Sequence, residues 1–225
     1  TQAPVRAVVF DAYGTLFDVY SVALLAEQMF PGQGNALGVL WRDKQIEYTR
    51  LTSMSERYRP FWELTLSALR HAAQRLALPL SDAAEAQLMN QYRHLSAFPE
   101  NHGVLAELAR RGVPAAILSN GDPQMLAVAV KSAGFQDFLA HVLSADAVRK
   151  YKTDPAVYAL GPKAFDLPAR QILFVSSNGW DAIGATWFGY TTLWVNRQRL
   201  PLEQLDTEPT HSGTSLRDVL GFFPS

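Results

Sequence analysis

The chain has 225 residues, 48% hydrophobic and 18% charged, the balance of a soluble globular enzyme with one good core and a smaller second lobe. A formal net charge of −1 excludes a nucleic-acid footprint, which needs a basic surplus. The lack of any cysteine excludes disulfides, thiolate metal sites and a Cys nucleophile, which makes a cytoplasmic home the default.

No basic segment followed by an apolar stretch opens the chain, so no secretory signal is expected, and the leading Thr1 suggests an edited start. No run of about 18 apolar residues follows, so no membrane span is expected. The first strand is expected over residues 6–10 and ends on Asp11, which opens the turn Asp11-Ala12-Tyr13-Gly14-Thr15. From about Val19 to Phe98 the pattern changes to helical spacing at 41–54, 61–76 and 82–95, with a loop at Pro31-Gly32-Gln33-Gly34. Either Ser81 or Asp82 can cap the third of these helices.

Beyond that segment, apolar runs return at 114–118, 171–175 and 191–195, separated by helix-length amphipathic stretches. Such alternation predicts an α/β fold with a parallel, Rossmann-like sheet core and helical crossovers. The core is expected from residues 1–18 and 99–225, with 19–98 inserted as an all-α cap domain. Asp122-Pro123 and Asp154-Pro155 read as helix starts, with Asp as the cap. A short helical pattern at 215–222 closes the chain.

Polar residues directly follow three of the runs: Asp11, Ser119-Asn120, and Ser176-Ser177-Asn178. Ligands gather at the carboxyl ends of parallel strands, so these clusters predict one convergent site. A buried Asp11 stays ionised only among cations or donors, and Lys152, Thr15 and Ser176 are suitable. Blander readings stand beside these. Asp11 can be a turn former, Arg42 a surface ion-pair partner, Tyr158 a core residue and Trp180 packing for a helix start. The five His residues show no metal-like spacing and read as solvated or capping, while Trp62, Trp187 and Trp194 read as core.

The ordered motifs Asp11-Ala-Tyr-Gly-Thr15-Leu, Ser119-Asn120-Gly121, Tyr151-Lys152-Thr-Asp-Pro and Ser176-Ser-Asn178-Gly-Trp180-Asp181 resemble those of the haloacid dehalogenase superfamily. Within it, the chain most resembles the L-2-haloacid dehalogenase family. Trp41-Arg42-Asp43-Lys44-Gln45, Glu47-Tyr48-Thr49 and Trp194-Val195-Asn196-Arg197 extend the likeness along essentially the whole chain. The resemblance implies a HAD-like fold and a two-step hydrolysis. Asp11 would displace halide from an L-2-haloalkanoate with inversion, and water would hydrolyse the resulting aspartyl ester to a D-2-hydroxy acid.

The resemblance also implies roles by position. Arg42 would stabilise the departing halide, while Ser119 and Asn120, with nearby backbone amides, would hold the substrate carboxylate. Thr15, Ser176 and Lys152 would orient Asp11. Asn178 and Asp181 would activate the hydrolytic water, supported by Tyr158. Ala12, Tyr13, Phe61 and Trp180 would line the substrate pocket. No cofactor and no metal are expected, because Tyr13 stands where a phosphatase carries a second Asp and the last motif offers Asp181 alone. The partner expected is a small 2-haloacid, with neither nucleic acid nor membrane, and the protein is expected to be a homodimer. The competing readings are a Mg-dependent phosphatase and a non-catalytic carboxylate-binding relative. Asp43 stands where the family usually shows Gln, and an anion pointing inward there would repel a leaving halide.

Overall fold

The computed structural model describes residues 4–225; Thr1, named above for the edited start, lies outside them. Among the described residues, six parallel strands form the sheet: β1 (Ala7–Phe10), β2 (Ala115–Ser119), β3 (His141–Ser144), β4 (Ile172–Ser176), β5 (Thr191–Val195) and β6 (His211–Gly213). Their spatial order is β3-β2-β1-β4-β5-β6. β1, β2, β4 and β5 are buried at every position, so they read in sequence as continuous apolar runs. The strand order reverses at β1, whose neighbours are β2 on one side and β4 on the other. A crevice therefore opens beyond Asp11, at the carboxyl end of the central strand.

Two strands escaped the sequence reading. β3 and β6 are short edge strands with alternating or partial burial, and Val142 in β3 is exposed. An edge strand buries little, so it needs no apolar run.

Between β1 and the helix α5 (Asn101–Arg110) lie α1 (Val22–Met29), α2 (Gly34–Met54), α3 (Phe61–Arg75) and α4 (Asp82–Arg93). The sequence reading missed α1 and began α2 at Trp41 rather than Gly34. Ser81, not Asp82, caps α4, accepting from the Ala84 N–H at 3.1 Å. After β2 come α6 (Pro123–Ala133), α7 (Pro155–Tyr158), α8 (Leu160–Phe165) and α9 (Gly179–Phe188). Asp122 and Asp154 cap α6 and α7 through the N–H groups of Met125 and Ala156. The expected segment at 215–222 is a 3-10 helix, Leu216–Phe222, capped by Ser215.

One continuous core joins the sheet to the helices. Tyr13 stacks on Phe61 and Tyr92 with ring centroids 5.7 and 5.6 Å apart, carrying the core from the first turn into α3 and α4. Trp187 departs from its expected place in the core, since it is 55% exposed. Of the five histidines, read as solvated or capping, His94 and His102 are exposed and His94 caps the end of α4, while His71, His141 and His211 are partly buried. His71, His102, His141 and His211 each pack against an aromatic ring.

Candidate active site

Asp11 leaves β1 with its N–H bonded to the Val175 carbonyl at 2.9 Å. The Ala12 carbonyl then accepts from the N–H groups of Thr15, Leu16 and Phe17, which closes a tight turn. Gly14 makes that turn possible, with φ at +92° and a Cβ position that would lie 3.1 Å from the Asn178 side chain. The turn thereby brings the 11–15 and 176–178 loops into contact.

The two oxygens of the Asp11 carboxylate are treated differently. Oδ2 accepts three bonds, from Thr15 Oγ1 at 2.9 Å, Ser176 Oγ at 3.0 Å and Asn178 Nδ2 at 2.7 Å. Among the described residues, Oδ1 accepts only from Lys152 Nζ, at 3.2 Å. Both hydroxyls are oriented by what they accept. Thr15 Oγ1 takes the Ser177 N–H at 2.9 Å and Ser176 Oγ takes the Asn178 N–H at 3.0 Å, so each turns its own hydrogen to Asp11.

Behind Asp11 lies a second buried acid. Lys152 Nζ also bonds Asp181 Oδ2 at 2.9 Å, and Tyr158 donates to Asp181 Oδ1 at 2.7 Å. Burial pushes the Asp181 carboxyl up to about 6, against the downward pull of the Lys152 ammonium. Burial alone would lower the Lys152 pKa, but Asp11 and Asp181 outweigh it and the net direction is up. Lys152 is thus held as an ammonium between two carboxylates. Its own N–H bonds Asn120 Oδ1 at 3.0 Å, which fixes the backbone that carries it.

From α2, Arg42 reaches the same place. It is buried, with Nη2 on the Tyr13 carbonyl at 3.1 Å and Nη1 on Gln45 Oε1 at 2.9 Å. Gln45 is held in turn by Thr65 and Tyr92, so the guanidinium rests on a fixed support. Burial raises the Tyr13 phenol well above its ordinary pKa, so the ring presents a neutral wall.

A cavity of about 20 Å³ sits among Asp11, Tyr13, Arg42, Phe61, Ser119, Asn120, Lys152, Asn178 and Trp180. That is close to the least volume that holds a water. Arg42, Ile46, Asn178 and Trp180 separate it from an outer cleft of about 640 Å³ that Asp43, Arg50, Trp187 and Glu203 also line. Asp43 is exposed and lines this outer cleft, not the inner cavity.

The structure therefore gathers Asp11, Tyr13, Arg42, Phe61, Ser119, Asn120, Lys152, Asn178 and Trp180 around one space. Thr15, Ser176, Asp181 and Tyr158 stand behind it as hydrogen-bond partners. Ala12, expected as a pocket residue, does not line the cavity; it is wholly buried and acts through its carbonyl. Ile46 and Thr49 line the cavity and were missed. They lie on α2 four and seven residues after Arg42, a helical spacing that could have found them.

The site is a poor fit for a divalent cation. Such an ion needs oxygen ligands, whereas N–H and O–H donors occupy the Asp11 carboxylate on both oxygens. Among the described residues no three His, Asp or Glu side chains come together to hold a metal.

Fold and site define a parallel-sheet protein with a buried, charge-balanced carboxylate at the end of its central strand. The chain belongs to the haloacid dehalogenase-like hydrolase family, whose model matches residues 5–189. It is 44% identical over 219 residues to the (S)-2-haloacid dehalogenase of Pseudomonas sp. (strain YL), covering 97% of this chain and 94% of that one. A crystal structure of an L-2-haloacid dehalogenase superposes with a TM-score of 0.96 at 61% identity, over 99% of this chain and 100% of the other. The L-2-haloacid dehalogenase from Xanthobacter autotrophicus with chloropropionic acid covalently bound superposes with a TM-score of 0.89 at 36% identity, over 96% of each chain.

Proposed function

We propose that this chain hydrolyses short L-2-haloalkanoic acids to D-2-hydroxy acids through an ester on Asp11, without a metal. The observation that carries the reading is the asymmetry of the Asp11 carboxylate. Oδ2 is saturated by three donors, while Oδ1, with one, keeps a lone pair for attack. Oδ1 attacks the α-carbon from behind, an O–C bond forms, and the carbon–halogen pair of electrons leaves with the halide. Arg42 meets the halide, and Ser119 with Asn120 holds the substrate carboxylate.

Esterification of Oδ1 leaves Oδ2 as the ester carbonyl oxygen. Water adds to Cγ, and the negative charge grows on Oδ2, where Thr15, Ser176 and Asn178 already point their hydrogens. Asp181 accepts the proton of the water, a task suited by its raised pKa. Collapse expels the hydroxy-acid oxygen, which takes the proton held by Asp181; the second proton of the water leaves to solvent, balancing the halide, and Asp11 is a carboxylate again. Tyr158 and Lys152 keep Asp181 in place.

In this reading residues 19–98 form a cap over a core made of 1–18 and 99–225. The narrow cavity favours short chains, and admission requires the α2 and α3 wall to part from the strand ends. The protein acts in the cytoplasm on the sequence grounds given above. It pairs as a homodimer, and exposed Leu24, Val39, Leu51 and Met54 on the outer helices give a surface to bury.

A single turnover in ¹⁸O-water with L-2-chloropropionate tests the ester route. The label is expected on Asp11, with unlabelled D-lactate released. Label in the first-turnover product would sink the ester route, and Mg²⁺-stimulated phosphate release from an aryl phosphate, with no halide released from the haloacid, would favour the phosphatase reading. Binding of the acid with no halide release would leave only a carboxylate-binding protein.

A further inference from the structure

Arg197 follows β5, and nothing in the proposed reaction uses it. Its guanidinium nevertheless crosses from β5 over β4 to the turn after β1. Nη2 bonds the Thr15 carbonyl at 2.9 Å, and Nη1 bonds Ser177 Oγ at 2.7 Å. Both contacts lie one residue or fewer from a donor to Asp11 Oδ2: Thr15 itself, and Ser177 between Ser176 and Asn178. Glu100 and Asn101 at the start of α5 accept from the same guanidinium, which lies 3.8 Å over the Phe98 ring.

We propose that Arg197 is a positioning residue that clamps the 15 and 176–178 loops together so that their donors stay aimed at the Oδ2 oxygen of Asp11. The inference rests on the ester route proposed above. The planar fork of an arginine can hold two acceptors on different loops at a fixed spacing, which a lysine cannot. The Oδ2 donors matter most when that oxygen carries a full charge, which is in ester hydrolysis and not in the displacement of halide. Loosening the clamp therefore slows the second step more than the first.

The experiment is acid quench during turnover of L-2-chloropropionate, with intact-mass detection of the ester on the protein. Arg197→Met is expected to lose roughly 10- to 100-fold in kcat, with KM falling as ester accumulates. Arg197→Lys, able to keep one of the two loop contacts, should recover part of the rate and show less ester. Ser177→Ala removes a single contact and serves if Arg197→Met does not fold; a smaller rise in ester is expected. If ester occupancy in folded variants equals that of the parent, or the rate falls only with the folded fraction, the clamp is wrong. If the parent protein itself never carries ester in the rapid-quench time course or ¹⁸O on Asp11, the fault lies with the ester route instead.

Discussion

The sheet-side wall of the inner cavity and its helix-side wall solve different problems. On the sheet side, Asp11, Lys152 and Asp181 are buried and cross-bonded, and the hydroxyls of Thr15 and Ser176 are oriented by backbone N–H groups. On the helix side, Ile46 and Phe61 give an apolar lining beside Thr49, and Arg42 brings charge. Charges that must not reorganise during reaction sit beyond the strand ends, on the turn after β1, the loop before α7 and the first turn of α9, where cross-bonds fix them. Shape, which must yield to admit a substrate, sits on helices joined to the sheet by side-chain contacts. Three of those contacts cross at one end: Tyr58 to Asp146, Tyr151 to the Arg59 carbonyl, and the Trp62 N–H to Asp122.

The hardest test of the sheet side is Asp11→Asn, expected to cost about four orders of magnitude in halide release from L-2-chloropropionate. Lys152→Met comes next. It strands two buried carboxylates and should cost about 3–5 kcal/mol by urea unfolding at pH 8, with activity lost as well. That deficit should shrink as pH falls, because protonation of the stranded acids removes the uncompensated charge.

Tyr158→Phe leaves both charges and removes one donor, so roughly 10-fold in kcat is expected. Its sharper readout is the pH profile of ester hydrolysis. With Asp181 as base, the rate of the parent should fall as pH drops through the Asp181 pKa, which burial raises above the usual carboxylate range. The Tyr158 hydrogen bond lowers the Asp181 pKa, so its loss moves the acid limb to higher pH. An unmoved limb would take Asp181 out of the proton transfer. Smallest is Asp43→Gln on the outer cleft, within about 3-fold in kcat/KM and mainly through salt-dependent association of the anionic acid. A large effect on kcat would put Asp43 in the chemistry and break the division between the walls.

Much of this is legible in the sequence. The apolar runs of β1, β2, β4 and β5 are visible because both faces of those strands are buried. Asp11, Ser119 and Ser176 stand out because each directly follows or ends such a run. Asp122 was readable only as a cap. In the fold it caps twice, with Oδ1 on Met125 of its own helix and Oδ2 on Trp62 at the start of α3. Arg197 was visible within a motif, yet its contacts with Thr15 and Ser177 depend on three adjacent strands and cannot be read from spacing.

The sequence by itself determined the α/β class, the place of Asp11 at a strand end and the residue types gathered near it. Local burial and turn chemistry leave those marks in any short window of chain. Tertiary structure alone decided which Asp11 oxygen is saturated, that Asp43 faces the outer cleft, and that Ala12 acts through its backbone. Those outcomes depend on strand register and helix rotation, which bring together groups as far apart in the chain as Lys152 and Asp11.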